Sequence, residues 1–331
     1  MQAWSKKHWV SGMVILALTV SALLFYQQKT RSQGPVEKTK IGVSLTPLSA
    51  PFFVADQMGL FKQFGLNVTL VPCSSGVSCA DLMLSSDVDY ATASESVVMF
   101  KSFQRDDILL LASFVESDND LKLLSLVPSK ITHVAQLEGK RVGLIKGSAS
   151  EFYFDSVLIG SNLRNLKVEK VYLQTKELVP ALLSYKVDAI SAWEPMGFQV
   201  DLLSVAKVNN LGIDGVYQLS FNLISRPSHI EFAGEEPTYL LQALQVAIDW
   251  IKTHPDQAMT LLSQRLDVPV EQIDWSWDDY VFRLSLGNSL LSNLQLQARW
   301  AIDSGLVTRS PPDFRRVFYS HPYQQMLAER N

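Results

Sequence analysis

A chain of 331 residues is long enough to bury cores in two compact bodies. Its 29 Lys and Arg against 33 Asp and Glu leave a formal charge of -4, with no basic run or basic stretch, which sets nucleic-acid binding aside. With 47% hydrophobic and 19% charged residues the composition is that of an ordinary globular chain.

The first residues stand apart. Lys6, Lys7 and His8 precede an uncharged run from Trp9 to Gln28, closed by Lys29 and Arg31, the pattern of an export signal or a single membrane anchor. Val20–Ala22 offers small residues for cleavage, but Leu23–Tyr26 continues the apolar run to about bilayer length, and no lipid-acceptor Cys follows. Residues 1–39 are therefore read as a signal or membrane anchor and linker, the uncleaved anchor being favoured, with residues 9–28 then tethering the body to the inner membrane outside the cytoplasm.

From Lys40 strands and helices alternate, which argues for α/β lobes with mostly parallel sheets flanked by helices. Lys40–Leu45 predicts a strand and Thr46–Pro51 a loop. Pro51–Phe64 predicts a helix stopped by Gly65, and Val68–Val71 a second strand. Ser74–Ser78 leads into the next helix, and Val88–Ala91 predicts a third strand running into Thr92-Ala93-Ser94-Glu95, read as a capping box. Cys73 and Cys79, six apart, admit either a local disulfide in an exported protein or two buried thiols. A zinc site is disfavoured, because no second Cys or His pair lies near them.

Strands are predicted at Ile108–Phe114 and Leu121–Val127, with a second lobe from Pro128. That lobe opens on Arg141–Ile145, the Lys146-Gly147 turn and Ser148-Ala149-Ser150-Glu151, which reads as a capping box on an amphipathic helix. Unpaired N–H groups and the positive end of a helix dipole there would suit an anion, with Lys146 adding charge. Val168–Leu173, Glu177–Tyr185 and Val187–Ala192 continue the alternation, and Trp193-Glu194-Pro195 follows the last strand. The ring could cover a ligand and the carboxylate hold an amine, or both could simply pack and cap.

Tyr217–Ile224 predicts a strand returning to the first lobe. Helices follow at Pro237–Thr253, Asp256–Leu266, around Val270–Leu286 and at Leu294–Ser304, with Trp250, Trp275, Trp277 and Trp300 read as packing residues. The expected division is lobe 1 over 40–127 plus 222–310, lobe 2 over 128–221, and a tail over 311–331. Ligands of open parallel sheets bind outside the carboxyl ends of the strands, and several hydroxyl-rich helix starts would gather on that rim. No Gly-x-Ser-x-Gly elbow, His-Glu-x-x-His, Walker loop, dinucleotide fingerprint or Cys-x-x-Cys is present, and His8, His133, His229, His254 and His321 are scattered. No cofactor or metal is expected, and Ser148 lacks a nearby base that would make it a nucleophile.

Lys40-Ile-Gly-Val-Ser44, Pro51–Phe61, Phe64–Val68, Val88–Ala91, Leu137–Gly143, Lys146–Ser148, Val187–Ala189 and Trp193–Pro195, in this order and spacing, resemble extracytoplasmic solute-binding proteins. The group is that of taurine, alkanesulfonate, nitrate and thiamine-precursor ABC transporters. The resemblance runs from about Lys40 to Leu306. It implies a two-lobed periplasmic-binding-protein-like fold of type II, a small-molecule ligand in the interlobe cleft, hinged closure, and an ABC permease and ATPase as partners of a monomer. The hinges are expected near Ser125–Pro128 and Phe221–Ser225. The resemblance turns five loops toward the ligand: Leu48, Ser49 and Ala50; Ser74, Ser75 and Gly76; Thr92, Ala93 and Ser94; Gly147, Ser148, Ala149 and Ser150; and Trp193 with Glu194. Glu95 beside the third loop argues against a purely anionic ligand unless it faces away. A taurine-like zwitterion or a pyrimidine thiamine precursor fits better. A membrane-tethered sensor feeding a signalling partner is the alternative. A pyrimidine-precursor synthase is a further one, although the resemblance would then require a cysteine-rich motif and a site histidine that this sequence does not display.

Overall fold

The computed structural model describes residues 38–330, and the expected anchor at residues 9–28 lies outside them. Among the described residues no helix is long and apolar enough to cross a membrane.

The chain opens with β1 (Lys38–Ser44), a 3-10 turn at Pro47–Ser49, α1 (Ala50–Gln57) and α2 (Leu60–Gln63). The single helix predicted over Pro51–Phe64 is broken because Gly59 takes φ +66°, a left-handed value that glycine adopts without steric cost. There follow β2 (Asn67–Cys73), α3 (Gly76–Leu84), β3 (Tyr90–Ser94), α4 (Glu95–Ser102) and β4 (Leu109–Ser117). Next come β5 (Leu121–Leu126), β6 (Arg141–Leu144), α5 (Ala149–Gly160), β7 (Glu169–Tyr172), α6 (Leu178–Leu183), β8 (Ala189–Trp193), α7 (Met196–Leu203) and β9 (Val208–Asn210). The remainder is β10 (Leu219–Ser225), α8 (Pro227–Ile230), α9 (Glu236–Thr253), α10 (Pro255–Leu266), α11 (Val270–Trp277), β11 (Val281–Ser285), α12 (Asn288–Asp303) and α13 (His321–Arg330).

Two sheets organise these elements. The larger has the order β11-β4-β10-β3-β1-β2 and the smaller β7-β6-β8-β5-β9. Both are mixed, which corrects the expectation of mostly parallel sheets. β1 and β3 are parallel, as are β6 with β7 and with β8, whereas β10 runs antiparallel to β3 and β4, β11 to β4, and β5 to β8 and β9. A parallel neighbour needs a long crossover, usually a helix. The antiparallel strands are mainly those by which the chain passes from one sheet to the other.

The passages lie elsewhere than the sequence pattern suggests. β4 belongs to the larger sheet and β5 to the smaller, so the chain crosses at Asp118–Asp120, and it returns through residues 211–218 between β9 and β10. Both precede the expected boundaries at 127/128 and 221/222 and the expected hinges at Ser125–Pro128 and Phe221–Ser225. The reason is that Leu121–Leu126 is as apolar as any first-sheet strand, and only its pairing with β8 assigns it.

Helix packing fixes the sheets against one another. The buried face of α9 carries Leu240, Leu241, Leu244, Ala247, Ile248 and Ile251 at helical spacing and lies against α1. Trp300 on α12 meets Phe152 on α5 edge-on at 4.8 Å and Phe100 on α4 at 5.9 Å, and Phe152 meets Tyr217 at 5.1 Å. These rings hold α5, which follows a strand of the smaller sheet, to helices of the larger one. Cys73 and Cys79 form a disulfide with Cα atoms 5.4 Å apart, tying the end of β2 to the first turns of α3.

Candidate functional site

The carboxyl ends of the strands of both sheets converge on one cavity, lined by residues of both. From the larger sheet, β1 delivers Ser44, Thr46 and Leu48, α3 begins with Gly76 and Val77 behind its cap Ser75, and α4 contributes its cap Ser94 and Val97. From the smaller sheet come Ser148 and Ala149 at the start of α5, and Trp193 at the end of β8. The passage at Asp118–Asp120 adds Asp120, β5 adds Leu121, and β10 adds Leu219 and Phe221.

Seven residues of the sequence-derived set line this cavity: Leu48, Ser75, Gly76, Ser94, Ser148, Ala149 and Trp193. Six others are buried outside its lining. Ser49 lies 3.4 Å from the Ser44 hydroxyl, Ala50 opens α1, and Thr92 accepts from Ser44 N at 3.1 Å. Ala93 backs Gly76, where a Cβ would stand 3.1 Å from both the Ala93 Cα and the Phe221 ring. Ser150 accepts from Ile145 N at 3.0 Å. Glu194 is fully buried, its carboxylate accepting from Trp275 Nε1 at 3.1 Å and Phe198 N at 3.2 Å, in space that only glycine at position 197 leaves free. The remaining two are elsewhere: Ser74 is exposed, and Gly147 lines a separate groove with Lys146, whose ammonium lies 5.5 Å from the Tyr172 ring centroid.

The caps differ in detail from the sequence pattern. β3 extends to Ser94, so Ser94 and not Thr92 caps α4, accepting from Val97 N at 3.4 Å. Ser148 caps α5 by accepting from Ser150 N at 3.2 Å and donates to Ile145 O at 2.7 Å, while Glu151 reaches back to Gly147 N. Ser75 and Ser78 make a reciprocal capping box. The serines thus shape the rim by holding three helix starts open toward the cavity. Glu95 faces away: its carboxylate accepts from Tyr217 Oη, Ser220 N and Oγ, and Gln297 Nε2, and burial pushes it upward despite those bonds.

Electrostatically the site is acidic. Asp120 is buried, with Oδ1 accepting from Tyr280 Oη at 2.9 Å. Burial, and then the charge of Glu194, push its carboxyl up to about 8, opposed by the Tyr280 bond and by Lys122. Burial likewise raises Glu194. Two buried polar atoms of lining residues, Asp120 Oδ2 and Thr46 Oγ1, have no hydrogen-bond partner among the described residues. The sequence pattern placed Thr46 only within the rim loop Thr46–Pro51, and it did not single out Asp120, Ser44, Val77, Val97, Leu121, Leu219 or Phe221. Asp120 closes an acidic stretch, Glu116–Asp120, in which nothing local separates the buried carboxylate from its exposed neighbours.

The family described as NMT1/THI5-like matches over residues 46–258. The chain belongs to the NMT1/THI5-like family. This NMT1/THI5-like chain is 23% identical over 254 residues to a Haemophilus influenzae protein described as one of thiamine biosynthesis, covering 72% of this chain and 78% of that protein. Among solved structures it is similar to the periplasmic aliphatic sulphonate binding protein SsuA of Escherichia coli. The TM-score is 0.74 at 19% identity, over 87% of this chain and 93% of that one. The alkanesulfonate-binding protein SsuA of Xanthomonas axonopodis pv. citri, solved with MOPS bound, gives 0.76 at 18% identity, over 87% and 100%. These likenesses establish the two-sheet α/β fold of periplasmic binding proteins.

None of His133, His229, His254 and His321 lines the cavity of the NMT1/THI5-like chain, and among the described residues no group of three or more His, Cys, Asp or Glu is arranged to hold a metal. What the arrangement offers is recognition: helix-start amides, an apolar wall from Trp193, Leu48, Val97, Leu219 and Phe221, and a buried carboxylate.

Proposed function

We propose that the chain is the extracytoplasmic substrate-binding subunit of an ABC importer. It captures a small organic molecule of the taurine or sulfonate class, or a pyrimidine thiamine precursor, between the two sheets. The observation that carries this reading is the cavity where both sets of strand ends meet, crossed by the chain at Asp118–Asp120 and again next to Leu219 and Phe221. Open α/β sheets bind ligands at that edge. Helix-start amides of α3, α4 and α5 suit a sulfonate or carbonyl oxygen, and Trp193 suits a ring or an ammonium.

Two short passages between the sheets are the kind of segment about which domains hinge, so the sheets close on the ligand by rotation at 118–120 and 211–218. The ligand shifts that equilibrium by its preference for the closed arrangement. Residues 9–28 keep the monomeric body at the inner membrane, beside the permease that reads its closed state. Family membership and the shared fold support the extracytoplasmic setting.

A thermal-shift screen of the full chain against taurine, an alkanesulfonate, nitrate and a pyrimidine precursor tests the reading. A ligand at about 100 times its dissociation constant adds roughly 2.7 kcal/mol of stability. Stabilisation by a sulfonate or pyrimidine supports the reading; stabilisation by nitrate alone, or by none of them, overturns it.

A further inference from the structure

Resting on the ligand cleft proposed above, we propose that the captured molecule presents a nitrogen-borne proton, on an ammonium or an amino group, to Oδ2 of Asp120, with the Thr46 hydroxyl as its second polar contact. Buried polar groups in folded proteins are almost always paired, and an unpaired one is costly. Asp120 is 1% exposed and Thr46 6%, both line the cavity, and Asp120 Oδ2 and Thr46 Oγ1 are unpaired among the described residues. A ligand in the cavity that both residues line can supply the missing partners.

The surroundings decide the sign. Asp120 spends Oδ1 on Tyr280. The neighbouring carboxylate Glu194 is held by Trp275 and Phe198, and Asp279 adds further negative charge. Lys122 is the cation that acts on the pair, but its Nζ donates to Asn119 O and Oδ1, both at 2.6 Å. Among the described residues the two carboxylates therefore have no directly bonded cation. When a nitrogen-borne donor binds, Asp120 releases its proton, and the ionised carboxylate then only accepts hydrogen bonds, so Oδ2 pairs with a donor and repels an anionic group. The raised pKa of Asp120 agrees with this: burial and the charge of Glu194 make its ionised form costly until a donor or cation pairs with it.

This divides the ligand into two ends. Sulfonate or carbonyl oxygens face the helix starts, and nitrogen faces Asp120. Isothermal titration calorimetry of the full chain with two matched pairs tests it: taurine against 1-propanesulfonate, and 4-amino-2-methylpyrimidine against 2-methylpyrimidine. In at least one pair the amino member binds and its counterpart binds roughly 10- to 100-fold more weakly, the range of a buried hydrogen bond to a charged group. Which pair shows the preference distinguishes an ammonium from an aromatic amine. Asp120→Asn, which keeps an oxygen for Tyr280 but turns a donor toward the ligand, removes most of the preference. Equal binding within each pair by the wild-type chain, or an unchanged preference in Asp120→Asn, overturns the inference and leaves the cleft reading standing. Binding of none of the four overturns both. The wild-type pairs decide the matter even if the variant fails to fold.

Discussion

Tyr280 donates its hydroxyl proton to Oδ1 of Asp120 across 2.9 Å, joining the segment between α11 and β11 to the passage by which the chain leaves the larger sheet. The same hydroxyl lies 2.9 Å from Ser276 Oγ, and both partners are buried. The bond fixes the rotamer of a carboxylate that lines the cavity, so a residue 160 positions away in sequence sets the geometry of the site.

Tyr280→Phe removes that bond and leaves a second oxygen of Asp120 unpaired. The expected cost is about 1–3 kcal/mol of stability, the penalty of an unsatisfied buried group. Denaturant unfolding measures it, and a variant as stable as the wild-type chain would contradict the role assigned to the bond.

The pH dependence of the unliganded chain follows from Asp120 and Glu194. Both carboxyls are raised by burial, Asp120 to about 8, so the folded state holds protons that the unfolded chain releases near pH 4. Their stabilising contribution is complete below the unfolded pKa and is lost as pH rises through the folded one. Melting temperatures measured from pH 5 to 9 should therefore fall in the wild-type chain relative to Asp120→Asn. Parallel curves would refute the assignment.

Glu236 works in the opposite sense. Burial pushes it upward, but hydrogen bonds from His229, Thr39 and Tyr90 outweigh burial and hold it below the usual carboxylate range. This contribution is present above the unfolded pKa and lost as pH falls through the folded value. Glu236→Gln should cost about 1–3 kcal/mol at pH 7 and flatten the acid limb of the stability curve.

Trp193 forms part of the cavity wall and is only partly buried. Trp193→Ala should weaken ligand binding by roughly 3- to 30-fold, the worth of one aromatic face toward a ring or cation, while changing the melting temperature little. A large drop in melting temperature with unchanged affinity would mean that the ring only packs.

The alternation of strands and helices from Lys40 onward made the α/β class readable, because hydrophobic period and helix caps are local signals. The rim was readable for the same reason: Ser75, Ser94 and Ser148 cap helices whose starts face the cavity. Sheet membership was not, since Leu121–Leu126 looks alike in either sheet and its partner β8 is about 70 residues away. β9, Val208–Asn210, is too short and too polar to stand out, and β11, Val281–Ser285, lies inside the stretch around Val270–Leu286 that reads as helical. Asp120 escaped for a similar reason: its burial depends on Tyr280 and Glu194, which only the tertiary fold brings together. Glu194 was legible as a residue at a strand end, but its carboxylate is already engaged by Trp275, which the sequence marked only as a packing residue.

The most direct test of the account uses Gly76, where the start of α3 comes so close to β3 and Phe221 that a Cβ would stand 3.1 Å from both. Gly76→Leu fills the cavity from its wall. Calorimetric titration of the wild-type chain and this variant, with whichever screened compound stabilises the protein most, should show one-to-one binding by the wild type. The folded variant, verified by a cooperative melting transition, should bind roughly 10-fold or more weakly, because the added side chain takes space beside Phe221 that the ligand needs. A folded Gly76→Leu protein that binds as tightly as the wild type would put the ligand outside the cleft and contradict the account.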